Sequence, residues 1–189
     1  MIIGVLALQG DFKEHIEILK KCGVDAVEVR LPSDLNEVSG LVIPGGESTT
    51  IGKLLDSSGL HDSIVKKYGK GMPIYGTCAG AILLAKKIEG SDQPRLGLLD
   101  VNVKRNDYGR QLDSFEAPLD LRRIGKINGI FIRAPIISSI GKNVEILGKE
   151  KNNPVLIQQG NILASTFHPE LTDDKRVHEY FIKMVRDSQ

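Results

Sequence analysis

The first hundred residues alternate short apolar runs with amphipathic stretches. Ile2 to Leu8 is almost uninterrupted hydrophobic sequence, as expected of a strand buried on both faces. Asp11 stands where a helix cap is needed. Phe12, Ile16, Leu19 and Cys22 then recur on one face of a helix running to about Cys22. Ala26 to Arg30 and Leu41 to Ile43 read as two further strands, the latter stopped by Pro44-Gly45-Gly46. Ser48 or Thr49 opens a helix towards Asp56, and another runs from about Leu60 to Tyr68. Pro73 to Tyr75 is a fourth strand ending at Gly76, and Ala79 to Lys86 reads as a largely buried helix. This β-α-β-α order predicts a parallel sheet with helices on both faces.

The second half changes character. Leu98 to Lys104, Phe115 to Ala117, Gly129 to Arg133, Val144 to Gly148, Val155 to Gln158 and Ile162 to Phe167 look like strands with few helices between them. Some of these are expected to extend the sheet in antiparallel fashion. Leu119 to Lys126 reads as a surface loop. A last helix spans about Asp173 to Val185, with Val177, Phe181 and Val185 at helical spacing. Repeats, low-complexity tracts and linkers are not seen, so residues 1–189 read as one domain.

Composition adds limits. The chain is 41% hydrophobic and 26% charged, the profile of a soluble globular protein. A formal net charge of +1 argues against a nucleic-acid or membrane surface as the main partner. The apolar start has no basic leader and is too short to span a bilayer. Two cysteines far apart in sequence, Cys22 and Cys78, form no disulfide framework, so a reducing cytoplasm is expected.

The candidate chemistry begins at Gly76-Thr77-Cys78-Ala79-Gly80, where a buried strand meets a helix in a G-x-C-x-G turn. This is the cysteine version of a nucleophile elbow, in which close chain approach demands small residues two before and two after the nucleophile. Cys78 would sit at a helix N-terminus, where free N–H groups and the dipole favour a thiolate, and the Ala79 N–H would face an oxyanion. Taken by itself, a cysteine beside loop glycines is as well explained as core filler. A thiolate also needs a base. His15, His61 and His178 fall in helices among polar neighbours, where solvated faces are expected. His168 instead follows an apolar run and precedes Pro169, which holds it extended at a strand end. Strand ends are where open α/β sheets bind ligands. Glu170, across that proline, could orient the imidazole as the third group of a triad. Pro44-Gly45-Gly46-Glu47-Ser48 also follows a strand, and its glycine pair suits the second half of an oxyanion hole. A phosphate loop is the alternative for this segment, but neither a Walker Lys-Ser/Thr pair nor a G-x-G-x-x-G is present.

Together, Gly76-Thr77-Cys78-Ala79-Gly80, Pro44-Gly45-Gly46-Glu47-Ser48 and His168-Pro169-Glu170 resemble the class I (triad) glutamine amidotransferases. More narrowly, the chain resembles the glutaminase subunits of pyridoxal 5′-phosphate synthases. The carriers are Gly4 to Gly10, Pro44 to Thr50, Gly76 to Ala81, Leu96 to Asp100, Arg105 to Gln111, Asp113 to Glu116, Phe131 to Pro135 and His168 to Thr172. The triad motifs specify only the superfamily; the run from Arg105 to Glu116 is what narrows it.

The resemblance implies an α/β three-layer sandwich with a mostly parallel central sheet, flavodoxin-like in its layering. It implies Cys78 as nucleophile, His168 as base, Glu170 as its orienting carboxylate, and the Gly46 and Ala79 N–H groups as the oxyanion hole. It points to Gly46, Glu47, Ser48, Arg105, Ile132 and Arg133 as the L-glutamine-binding set, with no metal and no cofactor. Arg105 and Arg133 suit a carboxylate and Glu47 an ammonium. It further implies a partner that receives the ammonia, a (β/α)₈-barrel synthase subunit, in a large hetero-oligomer. Docking is expected to switch the glutaminase on, and rotation of the Gly45–Gly46 peptide would be a low-cost switch. The rivals at this point are the amidotransferase subunit of another complex, of the imidazole glycerol phosphate synthase type, a cysteine peptidase or chaperone of a related fold, and a ligand-binding regulator that lost the chemistry.

Overall fold

A computed structural model of the chain describes residues 1–105 and 114–189. Most of the motif from Arg105 to Glu116 therefore lies outside the described residues. The central sheet uses β1 (Ile2–Leu6), β2 (Asp25–Val29), β3 (Gly40–Ile43), β4 (Ile74–Thr77), β10 (Glu145–Glu150), β11 (Asn153–Gln159) and β12 (Ile162–Ser165). Its seven strands lie in the order β10-β11-β12-β4-β3-β1-β2. The five from β12 to β2 are mutually parallel, and β11 and β10 add an antiparallel edge. This is the α/β sandwich expected, with the antiparallel extension coming from the second half.

The apolar runs are continuous because both faces of these strands are covered. Ile3, Val5, Val42, Tyr75 and Leu163 point into one core; Leu6, Leu41, Ile43, Ile74 and Ile162 point into the other. The first core is closed by α1 (Phe12–Lys21), α5 (Arg176–Asp187) and the hairpin of β7 (Ser114–Leu121) and β8 (Gly125–Ile132). The second is closed by α2 (Ser48–Ser58), α3 (Leu60–Gly69), α4 (Ala79–Leu84) and a small sheet of β5 (Ala85–Ile88), β6 (Leu99–Lys104) and β9 (Ile136–Ile140). Side chains such as Phe181 and Leu41 are fully buried, and each such burial contributes about 1.5–3 kcal/mol.

Several sequence expectations are corrected. The helix from Ala79 stops at Leu84, not Lys86, because Ala85 turns extended and joins a strand pair with β6. The Leu83 carbonyl is taken by the N–H groups of Leu96 and Gly97, which ends the helix. Leu119 to Lys126 is not a surface loop. Leu119, Leu121 and Ile127 are buried, since the hairpin lays one face on the first core. Strand β9 was not expected at all. Asp11 precedes α1, but its side chain caps nothing there. Finally, His15 and His178 are fully buried rather than solvated. His15, Ile18, Leu19 and Cys22 stand at i, i+3, i+4, i+7, and so do His178, Phe181, Ile182 and Val185. Each histidine therefore lies on the core-facing stripe of its helix. His61 alone keeps a partly exposed side chain, against Asp62 and the Arg95 carbonyl.

Candidate active site

Four parallel strands deliver their C-terminal ends to one place. The chain after β1 brings Gln9, Gly10 and Asp11; after β3, Gly46, Glu47 and Ser48; after β4, Cys78; after β12, His168. With Ile82, Arg105, Ile132 and Arg133 they line a cleft of about 380 Å³, within the range of small-molecule sites and ample for an amino acid. Ala79 stands at the first position of α4, just behind Cys78, and Glu170 is buried behind His168.

Cys78 is the elbow itself. Its backbone has φ 47° and ψ −102°, a conformation costing a non-glycine residue about 1–3 kcal/mol. The surroundings hold it there. The Cys78 N–H donates to the Ser165 carbonyl at 2.8 Å. The flanking glycines are needed for space: a Cβ on Gly80 would collide with the Ile43 carbonyl, and one on Gly76 would lie 2.7 Å from the Gly80 carbonyl. The sulfur is buried, with the Ile132 carbonyl 3.8 Å away. The Ala79 N–H, in the first turn of α4, has no partner within the helix.

His168 is fixed from several sides. Its N–H donates to the Ile130 carbonyl at 2.8 Å. Tyr75 donates its hydroxyl to Ser165 Oγ, which in turn donates to the Phe167 carbonyl and braces the approach to His168. Nδ1 lies 2.7 Å from Glu170 Oε1 and 3.6 Å from Asp11 Oδ2. Nε2 is buried without a hydrogen bond. Burial alone would lower the imidazole's pKa, but the Cys78 sulfur and the Glu170 carboxylate outweigh it and raise it to about 10. For Glu170, burial works to raise the pKa. His15 and His168 overcome it and hold the carboxyl well below the usual range. Nδ1 thus carries a proton towards an ionised carboxylate and leaves Nε2 for the sulfur, the arrangement an acyl-transfer base requires. Asp11, His168 and Glu170 also form the one cluster of possible metal ligands among the described residues. Nδ1, however, is already occupied by Glu170.

The glycine loop is tied to the first strand. The Gly45 carbonyl accepts from the Asp11 N–H at 3.1 Å, and Gln9 Oε1 accepts from the Glu47 N–H at 2.7 Å. Gly46 has φ 153°, and a Cβ there would lie 2.5 Å from Gln9 Oε1. The Glu47 carboxylate caps α2, accepting from the N–H groups of Thr49 and Thr50 and from the Thr50 hydroxyl. These bonds, the Thr50 hydroxyl first, hold its pKa at about 2. Arg105 reaches the same corner, with Nη1 on Thr49 Oγ1 at 3.0 Å and Nη2 3.7 Å from Glu47 Oε1. Nη1 also donates at 2.5 Å to Gln93 Oε1, on a buried glutamine whose own Nε2 has no partner. Arg133 is exposed on the rim, with φ 42° and no hydrogen bond among the described residues.

Sequence reasoning missed Gln9, Asp11 and Gln93 as site residues, and His15, Thr77 and His178 behind them. Gln9 and Asp11 carried a usable signal, because they follow a parallel strand directly. Gln93 carried none; its role depends on Arg105 meeting it in space.

The chain matches the model of the SNO glutamine amidotransferase family over residues 5–187. It is 52% identical to "Pyridoxal 5′-phosphate synthase subunit PdxT" of Desulforamulus reducens, over 98% of this chain and 100% of that one. It is 51% identical to a protein of the same name from Thermus thermophilus, over 97% of each. A solved structure described as a glutamine amidotransferase superposes with a TM-score of 0.96 at 50% identity, covering 98% of this chain and 100% of that chain. The structure of PurLQS from Thermotoga maritima shares the fold at 16% identity, with a TM-score of 0.72 over 96% of this chain and 97% of the matched chain. The chain belongs to the SNO glutamine amidotransferase family.

Proposed function

We propose that the chain is the glutaminase subunit of a pyridoxal 5′-phosphate synthase, hydrolysing L-glutamine to L-glutamate and ammonia. The observation that carries this reading is the 2.7 Å contact between His168 Nδ1 and Glu170, in the same cleft as a cysteine held at a strained elbow. Family membership supports it. Cys78 Sγ, its proton already passed to His168 Nε2, attacks the side-chain amide carbon. The Gly46 and Ala79 N–H groups stabilise the oxyanion. His168 returns its proton to the nitrogen as the C–N bond breaks, and ammonia leaves. Water then cleaves the γ-glutamyl thioester, releasing glutamate and restoring the thiol. Arg105 and Arg133 take the substrate α-carboxylate. Glu47, together with the Ser48 segment and Ile132, frames the α-ammonium end. Its carboxylate is already engaged in capping α2, and it meets the ammonium through remaining lone pairs.

Ammonia is mostly protonated at neutral pH and would be lost to solvent, so it is passed directly to a partner. We assign that partner as a (β/α)₈-barrel synthase subunit in a large hetero-oligomer, joining the nitrogen to pentose and triose phosphates. The chain acts as one amidotransferase domain in the cytoplasm, without nucleic-acid or membrane partners. No described helix is long and apolar enough to cross a membrane. Docking activates the site by turning the Gly45–Gly46 peptide, which requires release of the Gly45 carbonyl from the Asp11 N–H. The test is glutamate release from glutamine, with and without the synthase subunit, for wild type and Cys78→Ala. Activity that rises with the synthase and vanishes in Cys78→Ala supports the reading. Activity surviving Cys78→Ala, or a full rate without the synthase, contradicts it.

A further inference from the structure

Behind the triad lies a second layer of buried polar groups that the reaction as written does not use. His15 Nε2, on α1, lies 3.0 Å from Thr77 Oγ1 and 3.5 Å from Glu170 Oε2. His15 Nδ1 lies 2.9 Å from Nε2 of His178, on α5. Both histidines are fully buried; His178 Nδ1 and Glu170 Oε2 make no hydrogen bond, so His15 meets Glu170 as an electrostatic contact. The groups around His15 are Thr77 and Tyr75 from β4, Glu170 and His168 from the turn after β12, His178 from α5, and Asp11 before its own helix.

Only one assignment of protons suits these distances. Glu170 is an acceptor, so His15 Nε2 must carry its proton; a bare lone pair 3.5 Å from a carboxylate oxygen would repel it. If His15 is neutral, Nδ1 then accepts, and His178 Nε2–H donates to it. The atom left over is the His178 Nδ1 lone pair. Every alternative in which His15 Nδ1 donates leaves a buried His178 Nδ1–H without an acceptor, and orphaned buried donors are rare. Burial, with His15 beside it, holds the His178 pKa down to about 3, which fits a neutral ring.

Resting on the reading of Cys78, His168 and Glu170 as a glutaminase triad, we propose that His15, oriented by His178, is a positioning residue that holds the Glu170 carboxylate ionised and aimed at His168. The triad is thereby extended by two histidines on its inner side, running His178 to His15 to Glu170 to His168 to Cys78. Without the His15 N–H, a wholly buried carboxylate keeps only His168 as a close partner that turns a proton towards it. It becomes easier to protonate and freer to turn.

The test compares three chains in complex with the synthase subunit: wild type, His15→Leu and His15→Gln. Glutamine places an amide nitrogen near the position of the lost Nε2 and restores the donor. His15→Leu is expected to lower kcat/KM by about tenfold or more at pH 7 with KM little changed, and to move the acid limb of the pH profile upwards. His15→Gln is expected to return the limb towards wild type. A lower Tm in His15→Leu with an unmoved limb and an unchanged kcat/KM would overturn the proposal, leaving His15 as packing alone. In wild type, ¹⁵N-histidine NMR at pH 7 should show a protonated Nε2 and a bare Nδ1 on both rings. A proton on His15 Nδ1 would overturn the proposal even if His15→Leu failed to fold. Cys78→Ala serves as the separate control: activity persisting there would refute the triad itself, whereas an inactive Cys78→Ala beside a wild-type-like His15→Leu would refute only the role of His15.

Discussion

The two halves of the cleft are built differently. Cys78, His168 and Glu170 are buried, and each meets a buried partner: Ser165, Glu170 and His15 respectively. Opposite them, the side chains of Glu47 and Arg105 are 51% and 32% exposed, and Arg133 stands on the rim. The buried half takes its geometry from the packing of β4, β12 and the helices behind them, which sets the 2.7 Å contact of His168 with Glu170. The exposed half takes its geometry from charge and hydrogen bonds in contact with water, where ion pairs are weak and screened. Chemistry that fails at about 1 Å of misplacement sits in the rigid region. On the function proposed above, recognition of the substrate's charged end sits in the adjustable one.

Substitutions should separate the halves kinetically. Glu170→Gln, in the buried half, should lower kcat by about a hundredfold or more with KM within about threefold. Steady-state kinetics in the presence of the synthase would check it, and a change confined to KM would break the division. Arg105→Ala, in the exposed half, should do the reverse. Loss of a charge-assisted contact should raise KM about 10- to 100-fold and leave kcat within about threefold. A large fall in kcat would place Arg105 in the chemistry instead.

A gentler test lies within the buried half, where two histidines oppose each other. The His178 pKa is depressed to about 3 in the folded protein. The unfolded chain therefore binds the extra proton between about pH 6.5 and 3, and stability falls as pH drops through that window, by at most about 1.4 kcal/mol per pH unit. The His168 pKa is raised to about 10. Its contribution is fully present below about pH 6.5 and is lost as pH rises through 10. Urea denaturation across pH should show the acid loss flattened in His178→Leu. An unchanged acid slope in that variant would mean that other groups set it.

The legible parts of the sequence were those with local causes. Strands β1, β3 and β4 announce themselves because both faces are covered and the apolar runs are unbroken. The elbow at Cys78 shows through Gly76 and Gly80, since Ile43 leaves no room for a side chain at Gly80 and the Gly80 backbone none at Gly76. What stayed hidden depends on partners distant in sequence. Ala85 to Ile88 has helical composition and becomes a strand only because β6 lies beside it. Leu119 and Leu121 look like loop residues until the hairpin lies on the first core. Gln93 gains its meaning from Arg105. His15 and His178 were judged by their polar neighbours in sequence, whereas their spacing against Ile18, Leu19, Phe181 and Ile182 placed them on the core-facing stripes.

The central claim is that Cys78 is the nucleophile that accepts the γ-glutamyl group. A diazoketone analogue of glutamine, offered to the chain in the presence of the synthase subunit, would alkylate that sulfur with loss of nitrogen gas. Peptide mass spectrometry should find one adduct, on Cys78, suppressed by excess glutamine and absent in His168→Ala. An adduct on Cys22, or labelling indifferent to glutamine, would contradict the account.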